Sequence, residues 1–368
     1  MKVLGIMSGT SIDGVDYALC RIDERRCELQ ALWSVKFPRA LQQRLHAAAR
    51  GAAASWEVGQ LHHDLGRFYA AGAARGPRPQ LIGLHGQTIF HHPDRHAPAT
   101  LQIGEPAWLA EALRVPVVSN FRAADLAAGG QGAPLATAFH VRVFGQRGRH
   151  VCVNNLGGIS NVTSIDWRRG PRPKVLAFDT GPANVLMDLA VRHYTAGRQT
   201  FDRHGAWARR GRVSTALVEG WLRHPYFAAP PPKSTGRELF GEPFFALALG
   251  ESKQQGLSKF DLLATLTAFT ARSIAVNYAK HLPAAPAAVI LAGGGGANPV
   301  LRTRIAEALL LAGVETTVLQ SPDLGWPSES IEPAAFALLA WRRWNGHAGN
   351  LPATTGARRA VRCGQVTG

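Results

Sequence analysis

Four carboxylates stand where the chain changes direction, and each could do chemistry there. Asp13 and Asp16 lie in or beside a glycine-containing turn, Asp179 ends the apolar run 175–178, and Glu332 comes just before the last helical segment. A carboxylate at a strand end faces the ligand crevice of an open α/β sheet and can serve as a general base, although Asp179 could instead cap the following helix. Asp13 or Asp16 could hold Mg²⁺ directly or through water, and either could equally be a solvated turn residue.

Two glycine-rich turns could hold phosphate groups. Gly9, Thr10 and Ser11 offer backbone N–H groups and hydroxyl donors. A strand follows them and the chain contains no GxxxxGK[ST], so the pattern fits a phosphate-gripping hairpin or a plain turn rather than a P-loop. Residues 293–296, all glycine, follow a strand and precede a helix, where backbone amides accept a phosphate or nucleotide. Asn298 breaks the GxGxxG pattern, which disfavours a dinucleotide fold, and four successive glycines argue modestly against a purely structural turn.

Histidine and cysteine form no recognisable metal or redox motif. The histidines cluster without companion ligands at zinc spacing, so surface or satisfied histidines are favoured over a metal site; the clusters are His62, His63 and His91, His92, His96. The cysteines show no CxxC spacing, which predicts reduced thiols; they are Cys20, Cys27, Cys152 and Cys363. No G-x-S-x-G elbow supports a serine hydrolase.

The 368-residue chain is strongly basic and has a globular composition. Its 41 Lys and Arg against 25 Asp and Glu give a net charge of +16, and only seven of the basic residues are Lys. Such a surface suits phosphorylated or polyanionic partners, but Arg is scattered without a basic stripe interleaved with aromatics, so genome composition is favoured over nucleic-acid binding. No apolar run is long enough for a membrane helix, and the N-terminus begins a strand rather than a signal peptide. We therefore expect a cytoplasmic protein with no membrane or nucleic-acid partner.

The apolar runs predict two copies of one unit. Strands at 2–7, 15–22 and 27–37 form a meander, and helices at 40–50, 56–75 and 105–113 then alternate with strands at 80–84 and 115–120. After the polar linker 145–149 a second meander begins, with strands at 150–155, 159–165 and 174–178. Helices at 183–194, 206–223, 243–255, 258–281 and 299–311 and strands at 288–292 and 316–319 follow. We predict an α/β protein with domains at 1–145 (completed by helix 333–345) and 150–330, and a loosely ordered tail at 346–368.

Short motifs stand in a fixed order along nearly the whole chain. They are GIMSGTSIDGVD at 5–16, LHGQT at 84–88, NFRAAD at 120–125, GGQGAPL at 129–135, NLGGISN at 155–161, FDTGP at 178–182, KSTGRE at 233–238 and EPAAFA at 332–337. In this order they resemble the anhydro-N-acetylmuramic acid kinase family of the actin and hexokinase superfamily. The resemblance implies two duplicated actin/hexokinase-like (ribonuclease H-like) domains flanking a cleft that binds ATP and sugar.

The resemblance also implies a reaction, in which ATP with Mg²⁺ phosphorylates O6 of 1,6-anhydro-N-acetylmuramic acid while the 1,6-anhydro bond is hydrolysed, as in peptidoglycan recycling. Asp179 would activate water at the anomeric carbon, and Glu332 would help to position that water. ATP contacts are expected from Gly9, Thr10, Ser11, Ile12, Asp13, Gly14, Val15, Asp16, Gly293, Gly294, Gly295 and Asn298, and Asp13 is the expected metal ligand. Sugar contacts are expected from His85, Gln87, Thr88, Arg122 and Asp125. We further expect Arg122 or another Arg to pair with the lactyl carboxylate, and a homodimer is implied by the likeness alone.

Three residues depart from the family's usual pattern, and other interpretations stay open. Ala183 replaces Gly and could narrow the cleft near Asp179, Thr137 replaces Pro, and Pro333 replaces Ala but is tolerated if it opens the last helix. A kinase for another sugar or a polyphosphate hydrolase would use the same fold. A nucleic-acid-binding protein without catalysis would instead show salt-sensitive binding and no ATP turnover.

Overall fold

The computed structural model describes residues 1–93 and 96–368, which divide into two compact units. The first unit contains Met1–Val143 and Gly325–Gly368, and the second contains Phe144–Leu324. The first unit is therefore built from both ends of the chain. Its C-terminal part begins at Gly325 and runs to the last residue, whereas the sequence suggested only the helix 333–345 there.

The strands and helices of the described residues follow in chain order. The strands are β1 Lys2–Ser8, β2 Gly14–Ile22, β3 Cys27–Lys36, β4 Leu81–His92, β5 Ala99–Ile103, β6 Val117–Ser119, β7 His150–Leu156, β8 Ile159–Asp166, β9 Lys174–Pro182, β10 Ala288–Ala292, β11 Thr317–Gln320 and β12 Gln365–Thr367. The α-helices are α1 Arg39–Ala49, α2 Ser55–Ala73, α3 Ala107–Leu113, α4 Ala123–Ala127, α5 Thr137–Phe144, α6 Asn184–Tyr194, α7 Thr215–Leu222, α8 Pro225–Ala228, α9 Arg237–Phe240, α10 Glu242–Gln254, α11 Lys259–His281, α12 Pro299–Leu311, α13 Ile331–Trp344 and α14 Pro352–Thr355. Among these residues, no helix combines the length and the apolar character needed to cross a membrane.

The two units share an arrangement of five strands, to which the first sheet adds β12 and β5. The order is β12-β6-β4-β1-β2-β3 in the first unit, with β5 paired to β4, and β11-β10-β7-β8-β9 in the second. β1 pairs antiparallel with β2 and parallel with β4, and β7 pairs in the same two ways with β8 and β10. The predicted α/β class and the predicted duplication are confirmed.

Glycines allow the last long helix to lie directly on the first sheet. A Cβ atom on Gly5 of β1 would lie 1.7 Å from the carbonyl oxygen of Pro333, and one on Gly83 of β4 would lie 2.2 Å from that of Phe336. Only residues without side chains fit where helix backbone and strand backbone approach so closely. Pro333 stands in the first turn of α13, where a missing N–H leaves no intrahelical bond unmade, as expected.

The core of the second unit surrounds α11. A capping box starts this 23-residue helix, because the Ser258 side chain accepts from the N–H of Asp261 while the Asp261 carboxylate accepts from the N–H of Ser258. Most of the helix is buried, and all five residues of β10 are buried beside it. This core fixes the ends of β9 and β10, where the candidate site residues of the second unit lie.

The C-terminal tail is tightly packed, so the prediction that it is loosely ordered is wrong. β12 pairs antiparallel with β6 and thereby extends the first sheet. Inside the tail, the N–H of Val361 donates to Asn350 Oδ1 at 2.7 Å, and Cys363 is fully buried. Hydrogen bonds to side chains hold the tail in place, and such bonds need no apolar periodicity in the sequence. The tail therefore gave no helix or strand signal.

Candidate active site

The turn between β1 and β2 presents an open backbone to solvent. Thr10 and Ser11 are exposed at its tip, and the nearest atom to a Cβ on Gly9 would be the Ser11 hydroxyl oxygen at 3.7 Å. From β4, the Gln87 amide donates a hydrogen bond of 3.1 Å to the Gly9 carbonyl oxygen and so supports the turn. The tip therefore offers small residues at which an anion could approach the backbone N–H groups closely.

The rest of the 9–16 segment serves the fold more than a ligand. The side chains of Ile12 and Val15 are buried in the core of the first unit, so these two residues could offer a ligand only backbone groups. Gly14 lies against β3, since a Cβ atom there would be 2.8 Å from the Val35 carbonyl oxygen. Side chains of this segment are thus available to ATP only at its tip and at its two carboxylates.

Asp13 and Asp16 supply the two carboxylates beside this turn. Asp13 is exposed and accepts from the Ser11 hydroxyl at 2.8 Å, while half-buried Asp16 accepts from the Ser34 hydroxyl. Burial raises the pKa of Asp16, and the charges of Asp13 and Glu329 add to this, against the Ser34 hydrogen bond. In the part of the chain that is described, no three His, Cys, Asp or Glu side chains gather as a metal site. The pair nevertheless fits Mg²⁺, which needs only one or two carboxylates when water and phosphate oxygens complete its shell.

Three residues of β4 were expected to contact the sugar, and two of them, Gln87 and Thr88, lie in different surroundings. Gln87 is fully buried and donates to the carbonyl oxygens of Gly9 and Thr88, so it supports the turn, contrary to the prediction. Its own Oε1 atom is buried without a hydrogen-bond partner among the described residues. Thr88 is half-buried, and its hydroxyl accepts from Gln102 at 3.3 Å.

Arg122 and His85 form a linked pair. Arg122 Nη2 and Nε lie 2.8 Å and 3.2 Å from His85 Nε2, and Nη1 donates to the Gly132 carbonyl oxygen at 2.8 Å. His85 is buried and contacts Arg122, whereas the sequence predicted that it contacts the sugar. Arg122 itself is only half-buried. Burial lowers the pKa of Arg122 to about 10, and the negative charge of Glu332 opposes this shift. The guanidinium stays charged at neutral pH and can meet an anion.

Asp125 belongs to the fold, and the prediction that it contacts the sugar is wrong. Its side chain is fully buried and accepts hydrogen bonds from Asn350 Nδ2 at 2.6 Å, the Thr355 hydroxyl at 2.7 Å and the Gly132 N–H at 2.8 Å. Full burial together with three protein donors withholds this carboxylate from a ligand. It fastens the C-terminal tail to α4.

Glu332 occupies the first turn of α13 and remains accessible to solvent. The protein around the carboxylate nevertheless raises its pKa by desolvation, while the positive charge of Arg122 lowers it and the negative charge of Asp16 raises it further. The carboxylate, the guanidinium and the β1–β2 turn therefore interact electrostatically within the first unit.

Asp179 lies within β9, which continues to Pro182, and α6 has no side-chain cap, so the capping interpretation is wrong. Asp179 Oδ2 accepts from the Thr235 N–H at 2.9 Å, and no protein group in the described residues donates to Oδ1. The Tyr226 hydroxyl donates to the Asp179 carbonyl oxygen at 2.6 Å. Burial raises the pKa of Asp179 to about 6, against the Thr235 hydrogen bond, and the charge of Glu238 adds to the rise. The carboxylate is therefore held through Oδ2, and Oδ1 remains available as far as the described residues are concerned.

The KSTGRE segment positions Asp179, a role that the sequence interpretation missed. Besides the Thr235 contact, the Asp179 N–H donates to the Lys233 carbonyl oxygen at 3.1 Å. Lys233 Nζ donates to the Tyr226 carbonyl oxygen at 3.1 Å and lies 4.8 Å from the Tyr226 ring centroid. Desolvation lowers the pKa of Lys233 to about 8, with the Lys280 charge as a smaller cause. The motif itself was the available signal, but its 56-residue separation from Asp179 hid the contact.

The glycines after β10 have different surroundings, since some are closely packed and one faces open space. Cβ atoms on Gly293 and Gly295 would lie 2.4 Å from Asn155 Oδ1 and 2.8 Å from Asn184 Oδ1, so packing requires glycine at both positions. A Cβ atom on Gly294 would have nothing within 4 Å, which leaves its face open to a ligand. Asn298 caps α12, since its Oδ1 accepts from the next two free N–H groups of the helix.

The fold accommodates two of the residues that depart from the family pattern. The Ala183 side chain is fully buried before α6, so it lines no solvent-filled space beside Asp179, contrary to expectation. The Thr137 hydroxyl donates to the Pro134 carbonyl oxygen at 3.1 Å and lies 3.2 Å from the Thr354 hydroxyl of the tail.

Known proteins share the whole length of this chain. Residues 1–368 match the family model described as anhydro-N-acetylmuramic acid kinase. Proteins named anhydro-N-acetylmuramic acid kinase from Acaryochloris marina (strain MBIC 11017) and Microcystis aeruginosa (strain NIES-843 / IAM M-2473) are 43% and 40% identical to it, over 100% of this chain and 99% and 100% of theirs. A ROK family glucokinase from Streptomyces griseus in complex with glucose and AMPPNP aligns over 93% of this chain and 100% of its own, at 16% identity and a TM-score of 0.41. The chain belongs to the anhydro-N-acetylmuramic acid kinase family.

Proposed function

We propose that this chain uses ATP to phosphorylate O6 of 1,6-anhydro-N-acetylmuramic acid while it hydrolyses the 1,6-anhydro bond, giving N-acetylmuramic acid 6-phosphate. The observation that carries the proposal is Asp179, whose carboxylate is fixed through one oxygen and free at the other. With a pKa raised to about 6 by burial, it is mostly ionised at neutral pH and is a stronger base than an ordinary aspartate. Membership of the family supports the choice of substrate.

In the proposed reaction, Asp179 removes a proton from a water molecule as the water oxygen forms a bond to the anomeric carbon. The bond between that carbon and O6 breaks, O6 keeps the electron pair, and O6 then attacks the γ-phosphorus of ATP in line with the departing ADP. One proton transfer thus drives both ring opening and phosphorylation, and the proton later leaves Asp179 for solvent. We assign the positioning of the water to Glu332, as the family resemblance implies.

We assign the phosphates of ATP to the tip of the β1–β2 turn and to the open face of Gly294. The exposed Thr10 and Ser11 and the unobstructed Gly9 support the first assignment, and the empty space at Gly294 supports the second. Mg²⁺ bound with ATP supplies neutralisation of phosphate charge. In this proposal Asp13 holds the ion directly or through water, helped by Asp16.

On the sugar side, we assign the lactyl carboxylate to Arg122, because its half-buried guanidinium has N–H groups to offer an anion. We also keep Thr88 as a sugar contact. A cytoplasmic location, a homodimer and the absence of a nucleic-acid partner remain predictions.

The proposal is tested by incubating the protein with ATP, Mg²⁺ and 1,6-anhydro-N-acetylmuramic acid and measuring the sugar phosphate by mass spectrometry. Asp179→Asn should lower kcat by about a hundredfold or more, because an amide cannot accept the proton of the water. Asp188→Asn is a matched control, since burial also raises the pKa of Asp188 to about 6 and no role is assigned to it. This control should keep most of the activity.

The same assay distinguishes the other interpretations. Glucose and N-acetylglucosamine as acceptors test a kinase for another sugar, and polyphosphate without an acceptor tests a phosphate-polymer hydrolase. Equal product from wild type and Asp179→Asn would remove Asp179 from its role. Absence of product from the anhydro sugar, together with turnover of another acceptor, would replace the substrate.

A further inference from the structure

Two neutral groups accept hydrogen bonds from Arg122 and orient its guanidinium. The acceptors of its hydrogen bonds are the imidazole of His85, which faces both Nε and Nη2, and the carbonyl oxygen of Gly132, which faces Nη1. In the described residues no carboxylate oxygen lies within 4.0 Å of the guanidinium, and Glu332 acts on it only at longer range. These contacts occupy three of the five N–H donors, and the other two have no acceptor in the described part of the chain.

His85 is fixed as a hydrogen-bond acceptor. Its Nδ1 atom lies 2.8 Å from the carbonyl oxygen of Gly86, which can only accept, so Nδ1 carries the ring hydrogen and Nε2 presents its lone pair to Arg122. The ring is packed 4.4 Å from the ring of Phe336, measured between centroids. Burial and the charge of Arg122 hold the pKa of His85 well below its usual range, so the imidazole stays neutral.

This arrangement is unsuited to an arginine that serves only the fold. An arginine withdrawn from solvent is ordinarily paired with a carboxylate, which cancels its charge, and half-buried Arg122 has no such pair among the described residues. Here a neutral lone pair and a neutral carbonyl oxygen fix the plane of the guanidinium and leave its positive charge available. The remaining N–H groups of the fixed plane can then donate charge-assisted hydrogen bonds to a carboxylate.

We propose that His85 is a positioning residue, which with the Gly132 carbonyl oxygen holds Arg122 ready to bind the lactyl carboxylate of the sugar. The inference rests on the proposed function and adds to it the determinant of preference for an acidic sugar. The substrate class is an anhydro amino sugar that bears a carboxylate on its ether side chain. A neutral sugar of the same ring gains nothing from the His85–Arg122 pair.

The test compares two substrates, the anhydro sugar acid and its lactyl carboxamide, in wild type and His85→Leu. Leu removes the acceptor, so Arg122 loses its fixed plane. KM for the acid should rise about tenfold or more while KM for the carboxamide and kcat for both change by less than about threefold. His85→Gln should recover most of the preference, because an amide oxygen can accept from Arg122 near the position of Nε2. Thermal unfolding of each variant verifies that it is folded.

The outcomes separate the inference from the function on which it rests. If wild type converts neither substrate, the proposed function fails. If wild type converts the acid, but His85→Leu raises KM equally for acid and carboxamide or lowers kcat alone, the positioning role is wrong. If His85→Leu does not fold, Arg122→Gln is measured in its place. If this variant prefers the acid over the carboxamide as strongly as wild type does, the inference is overturned.

Discussion

The acid limb of the pH profile should report the carboxyl group of Asp179. Burial places its pKa at about 6, and the proposed base acts only when ionised, so activity is lost as the pH falls through this value. Because kcat/KM follows the ionisation of the free enzyme, the structure without substrates is the relevant state. The charge of Glu238, an exposed neighbour, contributes to the raised pKa and offers a way to move it.

The expected size of the effect follows from the ionised fraction. With a pKa of about 6, roughly nine tenths of Asp179 is ionised at pH 7 and roughly one tenth at pH 5, so kcat/KM should fall about tenfold between them. An aspartate of ordinary pKa, about 3.9, would lose less than about a tenth of its ionised form over the same interval. Glu238→Gln removes a like charge and should therefore move the midpoint of the limb to lower pH.

The assay should quantify the sugar phosphate directly, at constant ionic strength, because coupling enzymes would add pH dependences of their own. Glu242→Gln is the matched control, an exposed glutamate on the neighbouring helix that does not contribute to the pKa of Asp179, and its profile should overlay that of wild type. A wild-type midpoint below about pH 5, or one that Glu238→Gln leaves in place, would refute the reasoning.

Four further substitutions test the remaining geometry. Gly294→Ala should raise KM for ATP and leave the melting temperature unchanged, because nothing lies near its Cβ position. Gly293→Ala should lower the melting temperature, because of its close contact and its φ of +75°. An equal loss of melting temperature in both variants would contradict the assignment of Gly293 to packing and of Gly294 to ligand space. Asp125→Ala should lower the free energy of unfolding in urea by about 3 kcal/mol or more, since it leaves three buried donors unpaired, and a loss below about 1 kcal/mol would count against this account. Gly5→Ala should prevent α13 from docking, seen as loss of folded protein or faster hydrogen exchange in β1, because its Cβ would lie 1.7 Å from the Pro333 oxygen.

Strands and helices whose ends are marked by nearby residues in the sequence were predicted well. β10 and α12 have the predicted bounds, because an apolar run ends in glycines and Asn298 with a following proline opens the helix. The predicted strand 80–84 was too short, since β4 continues to His92 through polar residues that pair with β5, itself missed. Part of the predicted helix 206–223 is instead a tight 3-10 turn, with α7 starting only at Thr215.

The candidate site was predicted where chemistry is local and missed where it depends on distant partners. Asp179 could be proposed from its place at the end of an apolar run, but the segment that fixes its carboxylate follows 56 residues later. Asp125 looked available for a ligand because Asn350 and Thr355, which saturate it, come more than 200 residues further along the chain. Hydrogen bonds between such separated residues leave no periodic pattern in a sequence.

The docking of α13 on Gly5 and Gly83 sets the order in which a newly made chain can mature. β1 is synthesised well before the helix that covers it, and the entire second unit is synthesised in between. The second unit, which is continuous in sequence, can fold while the first sheet still waits for its covering helix. Until α13 has been synthesised, the glycine surface of that sheet is exposed to chaperones and to neighbouring nascent chains, so termination before α13 would leave a molecule with one finished half.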